Sequence, residues 1–431
     1  MSPALLTALL VGGLLILLAL GVEIGVAMGV IASISLVWVL DKSLIQIAWT
    51  AWESLNSFIL LAMPLFIFMG AVFAGSGAVG GLFKALDQWL GFLPGGLAAV
   101  VIAANAIFGA ISGSSVAAAA TFSLIAFPEM ERRGYHPTLA LGSIAVGGTL
   151  SVLVPPSLIL IVYGSWENQS VARLFAAAMV PGLILAILLL LAVILWVKIN
   201  PSLAPKVPGV SLREKIKAVK QILPWIGVVV VVLGSIFGGL MTPTEASALG
   251  ASLSLVIAWG YGNLTYKLIE ESVLTAVKVT AMIGLVIFSA RLLSFTFQDM
   301  GVTERLSSRM LSLSMGKYGT MAFFVGLYLV LGMFFDSMAM MLLTLPFVMP
   351  VLTNLGFDPV WWGVTFVILA EIGLVTPPFG LNLFTIHGVL PRFQVTFIAR
   401  SAMPLLGVML LVVVLLIAFP ELALWLPKFL Y

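Results

Sequence analysis

The chain has 431 residues, 62% hydrophobic and only 9% charged, with a net charge of +3. Soluble domains carry about a quarter charged residues, so this composition argues against one, and the small dispersed charge argues against a nucleic-acid partner. There is no cysteine, which removes disulfides and thiolate sites, and the two histidines, His136 and His387, stand too far apart in sequence to suggest a histidine metal centre.

Apolar runs of about 20 residues recur from end to end, which predicts a polytopic, all-α membrane protein. The first half offers five spans, about 4–20, 24–40, 57–75, 138–163 and 171–197. The opening run "MSPALLTALLVGGLLILLAL" has no positive region before it, so it reads as a spanning helix rather than a cleaved signal. "LIQIAWTAWESLNS" (44–57) mixes tryptophans with polar residues, either as a membrane-surface helix or as a connector with aromatic anchors. Between the third and fourth spans lies an apolar stretch interrupted by "SGSS" (112–115). Its arms of about 16 residues make roughly 24 Å of helix, short of a hydrocarbon core of about 30 Å, which predicts a re-entrant hairpin over about 95–130. A basic linker, "KVPGVSLREKIKAVK" (206–220), follows. The second half then offers spans at about 223–240, 245–261, 275–297, 360–386 and 401–427. "LTYKLIEESVLTAVK" (264–278) takes the interfacial place, and a second hairpin, about 318–350, is interrupted by "FDSM" (335–338).

A shift of 222 residues brings landmarks of the two halves together. Ser115 meets Ser337, Pro128 meets Pro350, "GYHP" (134–137) meets "GFDP" (356–359), and Pro155-Pro156 meets Pro377-Pro378. The chain therefore divides into repeats 1–200 and 223–431, joined by the linker 201–222. Five spans is an odd number, and a hairpin does not change it. The halves thus enter the membrane in opposite senses, the inverted repeat of many secondary transporters. With the linker in the cytoplasm, thirteen Lys and Arg are cytoplasmic and six outside, so both termini are expected outside, in the periplasm. Arg305, Arg309 and Lys317 fit this orientation poorly.

Four places put non-helical backbone at membrane depth: two hairpin tips and two Pro-Pro breaks. Such backbone is tolerated only against protein or a polar cavity. A half-helix ending near Val154 or Thr376 leaves carbonyls without partners, which with hydroxyls and a carboxylate suit a hard cation such as Na⁺. The half-helix beyond each break offers free N–H groups to a carboxylate, and proline is favoured at a first helical position. The first cation candidate joins Ser112, Gly113, Ser114 and Ser115 to Gly148, Thr149, Val154 and Pro155. The second joins Asp336 and Ser337 to Gly373, Thr376 and Pro377. Asp336 at a buried tip would need a cation or a proton. Close helix packing is the competing explanation of "SGSS", because small residues line membrane helix interfaces.

Candidate substrate contacts are Ser157, Asn382 and Arg291. Arg291 pairs with a substrate carboxylate, pairs with Glu371, or snorkels to the interface. Glu371 is structural or a proton carrier. Glu23 and Glu245 lie at matching helix starts, and "TPTEA" (242–246) has the form of a capping box. No enzyme constellation is present: no G-x-S-x-G, no H-E-x-x-H and no P-loop lysine, and "GAISGS" lacks the lysine of a phosphate loop.

The stretches "AMPLFIFMG" (62–70), "LPGGLA" (93–98), "FGAISGSSVAAAA" (108–120), "ERRGYHP" (131–137), "VPPSLILIVYG" (154–164), "LFAAAMVPG" (174–182), "MTPTEA" (241–246) and "LVTPPFGLN" (374–382) resemble, in order, the large membrane (M) subunit of tripartite ATP-independent periplasmic (TRAP) transporters. The resemblance implies a Na⁺-coupled importer of organic acids, such as C4-dicarboxylates, sialic acid or other sugar acids, in a bacterial or archaeal cytoplasmic membrane. It implies an elevator motion in which hairpins and broken helices move together. It also implies two partners, a periplasmic substrate-binding protein (P subunit) and a small four-helix membrane subunit (Q subunit), the latter separate because no fused one precedes this chain. The family's cation sites fall on the positions named above at the tips and breaks, and no cofactor beyond Na⁺ is implied. Arg291 matches no family motif. The alternative is a stand-alone carboxylate transporter, coupled to H⁺, that needs no binding protein.

Overall fold

The computed structural model describes residues 3–312 and 315–431, with side chains from residue 9 onward except at 311. Met1 and Ser2 of the opening run lie outside the described residues. The described chain is helical throughout, with no strand.

The first half contains α1 (Pro3–Ala19), α2 (Ile24–Ile34) with a π-helical extension (Ser35–Val39), α3 (Ile45–Leu55) and α4 (Ala62–Gly75). It continues with α5 (Ala78–Leu90), α6 (Gly96–Ser112), α7 (Ser115–Arg132), α8 (Pro137–Leu153), α9 (Leu158–Trp166) and α10 (Val171–Ile199). The second half contains α11 (Leu212–Phe237), α12 (Pro243–Gly260), α13 (Tyr266–Asp299), α14 (Val302–Ser312) and α15 (Gly316–Gly332). It ends with α16 (Ser337–Asn354), α17 (Pro359–Leu374), α18 (Leu381–Val389), α19 (Val395–Ala418) and α20 (Glu421–Leu430). The element bounds repeat at the offset of the sequence landmarks: α7 and α16 start at Ser115 and Ser337, and α8 and α17 start at Pro137 and Pro359.

Among the described residues six helical stretches are long and apolar enough to cross a membrane: Phe58–Gly75, α10, α11, α13, α16 and α19. The pair α8 and α9, bent by 40° at its break, makes a seventh. Every predicted span is helical, but not every one is that long. The apolar helix in 24–40 covers Ile24–Val39, and 360–386 is divided between α17, of 16 residues, and α18, of 9.

Four expectations change. The hairpin arms, of 17 and 18 residues, run slightly past the predicted length of about 16, with Pro128, Pro346 and Pro350 inside helices. As α16 has 18 residues and passes as a span, arm length alone does not argue for a re-entrant shape. The segment 264–278 is no separate surface helix: it is the first part of the 34-residue α13, whose run has neither Pro nor a break where the first half breaks at Asn56–Ser57 between α3 and α4. The prolines of each break lie in the non-helical link, not at a first helical position; α9 starts after Ser157 and α18 after Gly380. Finally α5 and α14, amphipathic helices at matching places before each hairpin, were not anticipated.

The helices pack as two groups. α4 lies against α12 and α13, and α13 also lies against α2 and α3. The hairpins and broken helices form the other group: α8 packs on α6, α7 and α19, and α17 packs on α15, α16, α10 and α8. Small residues let backbones touch in this second group, as expected where lipid gives no hydrophobic drive between helices. A Cβ on Gly109 would strike the Ser151 backbone, and one on Gly142 would strike the Ser401 carbonyl. Gly332 and Gly373 meet backbone to backbone at the crossing of α15 and α17.

Candidate functional site

Each hairpin tip is a helix end followed by a cap. At the first tip α6 ends at Ser112, Gly113 takes a left-handed conformation (φ 59°), and the Ser114 hydroxyl accepts from Ala117 N–H at 3.3 Å to start α7. Glycine is required at that position because L side chains disfavour it. At the second tip the Asp336 carboxylate caps α16, accepting from Met338 N–H at 2.9 Å and Ala339 N–H at 3.1 Å. Asp336 is capped, which corrects the expectation of an unpaired carboxylate: the start of α16 supplies the N–H groups that hold it.

The first tip is enclosed. Gly70 of α4 touches the Ser112 backbone, Gly148 of α8 approaches the Ser115 carbonyl, and a Cβ on Gly113 would stand 3.6 Å from the Pro156 carbonyl. Tip residues 112–115 and break residues 154–157 are therefore brought together. Val154 caps α8, and the Ser157 hydroxyl accepts from Leu160 N–H at 3.5 Å to start α9. Thr149 is buried, its hydroxyl donating to the Val146 carbonyl at 2.6 Å. Both Pro155-Pro156 and Pro377-Pro378 are cis.

At the second break α17 ends at Leu374, and the Thr376 hydroxyl donates to the Ile372 carbonyl at 2.6 Å. The link then curls back, so that a Cβ on Gly380 (φ 35°) would stand 3.0 Å from the Thr376 carbonyl and 3.1 Å from that of Leu374. Two carbonyls thus converge beside Pro377, while Gly373 lies in the helix crossing just before it.

The two tips meet at one residue. Glu371, 1% exposed on α17, accepts from the Ser337 hydroxyl at 3.4 Å, and the Ser115 hydroxyl approaches the same carboxyl. Ser115 and Ser337 start α7 and α16, 222 residues apart, so both hairpin tips converge on this carboxyl. Arg291 is not its partner. Several buried polar atoms near the tips and breaks have no hydrogen-bond partner: Ser112 Oγ, Glu371 Oε2, and both Asn382 Oδ1 and Nδ2. Buried polar groups are nearly always satisfied, so such orphans point to a ligand or water. Hydroxyls, carbonyls and carboxylates are the donor set of a hard monovalent cation, and the residues present fit one.

Arg291 lies elsewhere, half-buried in a cavity of about 580 Å³ between α3, α9 and α13. Its guanidinium sits 4.0 Å from the Trp166 ring centre and donates to the Trp166 carbonyl at 3.2 Å. Of its five N–H donors most remain for a ligand. Glu53, Ser165 and Gln298 line the same cavity. Sequence reasoning passed over these, although Ile287, Arg291, Ser294 and Gln298 recur at helical spacing and mark one face of α13. Ser157 and Asn382 are fully buried and do not line it. A second cavity, of about 330 Å³, reaches Ser112 and Ser114 and is bounded by α4 and the N-terminal half of α13.

The two glutamates at helix starts are caps. Glu23 accepts from Val26 N–H at 3.1 Å, and Thr242 and Glu245 form a complete capping box.

Comparison with known proteins agrees with the motifs. Among solved structures, the YdaH transporter of Alcanivorax borkumensis superimposes with a TM-score of 0.56 at 14% identity, over 90% of this chain and 88% of that one. MtrF of Neisseria gonorrhoeae gives 0.57 at 14% identity, over 88% and 85%. At such identity these establish a shared fold alone. The C4-dicarboxylate TRAP transporter large permease protein DctM of Vibrio cholerae is 31% identical over 100% of this chain and 98% of its own length. The isethionate TRAP transporter permease protein DctMQ of Oleidesulfovibrio alaskensis is 31% identical over 94% of this chain and 64% of its own. The sialic acid TRAP transporter large permease protein SiaM of Vibrio cholerae is 30% identical over 87% of each. The model of the tripartite ATP-independent periplasmic transporter DctM component matches residues 11–422. By this match and by these relatives, the chain belongs to the TRAP transporter large-permease (DctM, or M-subunit) family, integral proteins of the inner membrane.

Proposed function

We propose that the protein is the large permease subunit of a Na⁺-coupled secondary transporter that imports an organic acid handed over by a periplasmic binding protein. A small membrane subunit, fused to the permease in a relative named DctMQ, completes the assembly. The relatives named for C4-dicarboxylate, isethionate and sialic acid support an organic anion as the substrate class. The observation that carries the ion-coupled reading is the convergence of both hairpin tips on a buried carboxyl, among polar atoms that have no partner. Coupling to Na⁺ is supported by the donor set at Ser112–Ser115, Gly148, Thr149, Val154 and Pro155, and at Asp336, Ser337, Gly373, Thr376 and Pro377.

Arg291 is the substrate-carboxylate candidate, because its cavity is polar and its guanidinium is held on one side only. The inverted repeat is supported by the constant offset of the element bounds, and both termini are assigned to the periplasm by the charge bias. An elevator motion is supported by the packing of hairpins and broken helices into one group, next to a second group built on α4, α12 and α13. The experiment is uptake into vesicles holding the permease and its small subunit, with and without the cognate binding protein and an inward Na⁺ gradient. Uptake of an organic acid only when both are present is the expected result. Uptake without the binding protein, driven by a pH gradient, would establish the stand-alone H⁺-coupled alternative.

A further inference from the structure

Glu371 is the acid that neither cation site accounts for. It lies on α17, 1% exposed, two residues before Gly373. The first candidate site has no acid of its own: its tip "SGSS" and its break "GGTLSVLVPP" (147–156) offer only hydroxyls and carbonyls. The second has Asp336, but that carboxylate already accepts two backbone N–H groups. Glu371 reaches toward both. One tip offers it the Ser337 hydroxyl at 3.4 Å and the other the Ser115 hydroxyl, while Oε2 has no hydrogen-bond partner.

Among the described residues no cationic side chain faces this carboxyl: the polar groups turned to it are Ser115 of α7 and Ser337 of α16. The half-buried Arg291 lies apart, against Trp166 in the cavity between α3, α9 and α13. A buried carboxylate with two hydroxyl contacts and no counter-charge is costly, and a cation at either serine relieves that cost. The repeat sharpens the point. The position matching Glu371 in the first half is Thr149, so the pair of broken helices brings one carboxyl, not two, to the meeting of the tips.

We propose that Glu371 is a shared anionic ligand: it supplies the negative charge that the first site lacks and links it to the second, so that cations at the two tips bind cooperatively. This inference rests on the Na⁺-coupled reading above.

The test uses the full chain with its small membrane subunit in lipid nanodiscs and in vesicles. Na⁺ is titrated against thermal stabilisation, with K⁺ as the control, and against uptake. The native protein should respond to Na⁺ with a Hill coefficient above one. Glu371→Gln should raise the half-saturating Na⁺ concentration by about tenfold or more and bring the coefficient down to about one, since a hydrogen-bonded charge is lost. A folded Glu371→Gln protein with the native midpoint and coefficient overturns the proposal and identifies the carboxyl as a neutral hydrogen-bonded group. A native protein that ignores Na⁺ overturns the Na⁺ reading itself, so the two failures are told apart. Should Glu371→Gln not fold, Ser115→Ala, Ser337→Ala and the double variant carry the test with the carboxyl in place. Their effects on the Na⁺ midpoint should be non-additive, because both act through Glu371. Additive effects place the sites independently and overturn the link.

Discussion

Asp336 illustrates how one residue serves two needs. Its carboxylate starts α16, and the same oxygens stand at the tip where a cation is proposed. Asp336→Asn keeps a competent cap, because asparagine caps as well as aspartate, but removes the charge. The variant should insert and fold normally yet lose Na⁺-driven uptake; unchanged Na⁺ dependence in vesicles would remove Asp336 from the site. Arg291 makes a different case. Arg291→Lys keeps the charge but loses the planar fork and the stacking on Trp166. We expect the half-saturating substrate concentration to rise about tenfold or more with the Na⁺ midpoint unchanged, measured in the same vesicles. At this scale the sequence was informative about identity and silent about contact. It offered Glu371 as a partner for Arg291, whereas the fold gives Glu371 to the two tip serines and Arg291 to Trp166.

The elements were legible where local chemistry fixes them. Gly113, Ser114 and Asp336 mark the tips because a left-handed glycine and short polar caps are what a helix end and a helix start require. Lengths were less legible, since proline inside a helix can be absorbed by neighbours, as at Pro128 and Pro350. The continuity of α13 was missed for the converse reason: charges at Lys267, Glu270, Glu271 and Lys278 suggest a surface helix, but nothing in the run ends one. The crossing of α15 and α17 gives a stability prediction. Gly332 and Gly373 touch through their backbones, so Gly373→Ala forces the helices apart at a cost of about 1–3 kcal/mol, the usual range for overpacking. A lowered unfolding temperature in detergent checks this, and Gly227→Ala, where a Cβ meets nothing, is the neutral control.

For the whole molecule the relation between the two helix groups matters most. Ser57, just ahead of α4, and Ser165, in α9, face each other across them with hydroxyl oxygens 3.2 Å apart. The chain has no cysteine, so Ser57→Cys with Ser165→Cys introduces the only thiols, and their separation suits a disulfide after small adjustment. If hairpins and broken helices slide as a body during transport, oxidation should stop uptake and reduction restore it. Full activity of the completely cross-linked protein would rule out a motion that separates α9 from the start of α4.

What the sequence determined by itself is what local rules and lengthwise comparison can carry. Apolar runs fixed an all-helical membrane chain, since lipid leaves backbone groups no other partner. The landmarks 222 residues apart pointed to a repeat, and the motifs fixed the family. Only the tertiary structure decided which residues meet. That Ser115, Ser337 and Glu371 share one point depends on how α7, α16 and α17 cross. Those crossings are set by small-residue contacts such as Gly148 on the Ser115 carbonyl and Gly332 on Gly373, which join parts of the chain far apart in sequence. A single sequence carries no direct mark of such long-range pairing, because the energy that selects it comes from close packing between helices and not from any one of them.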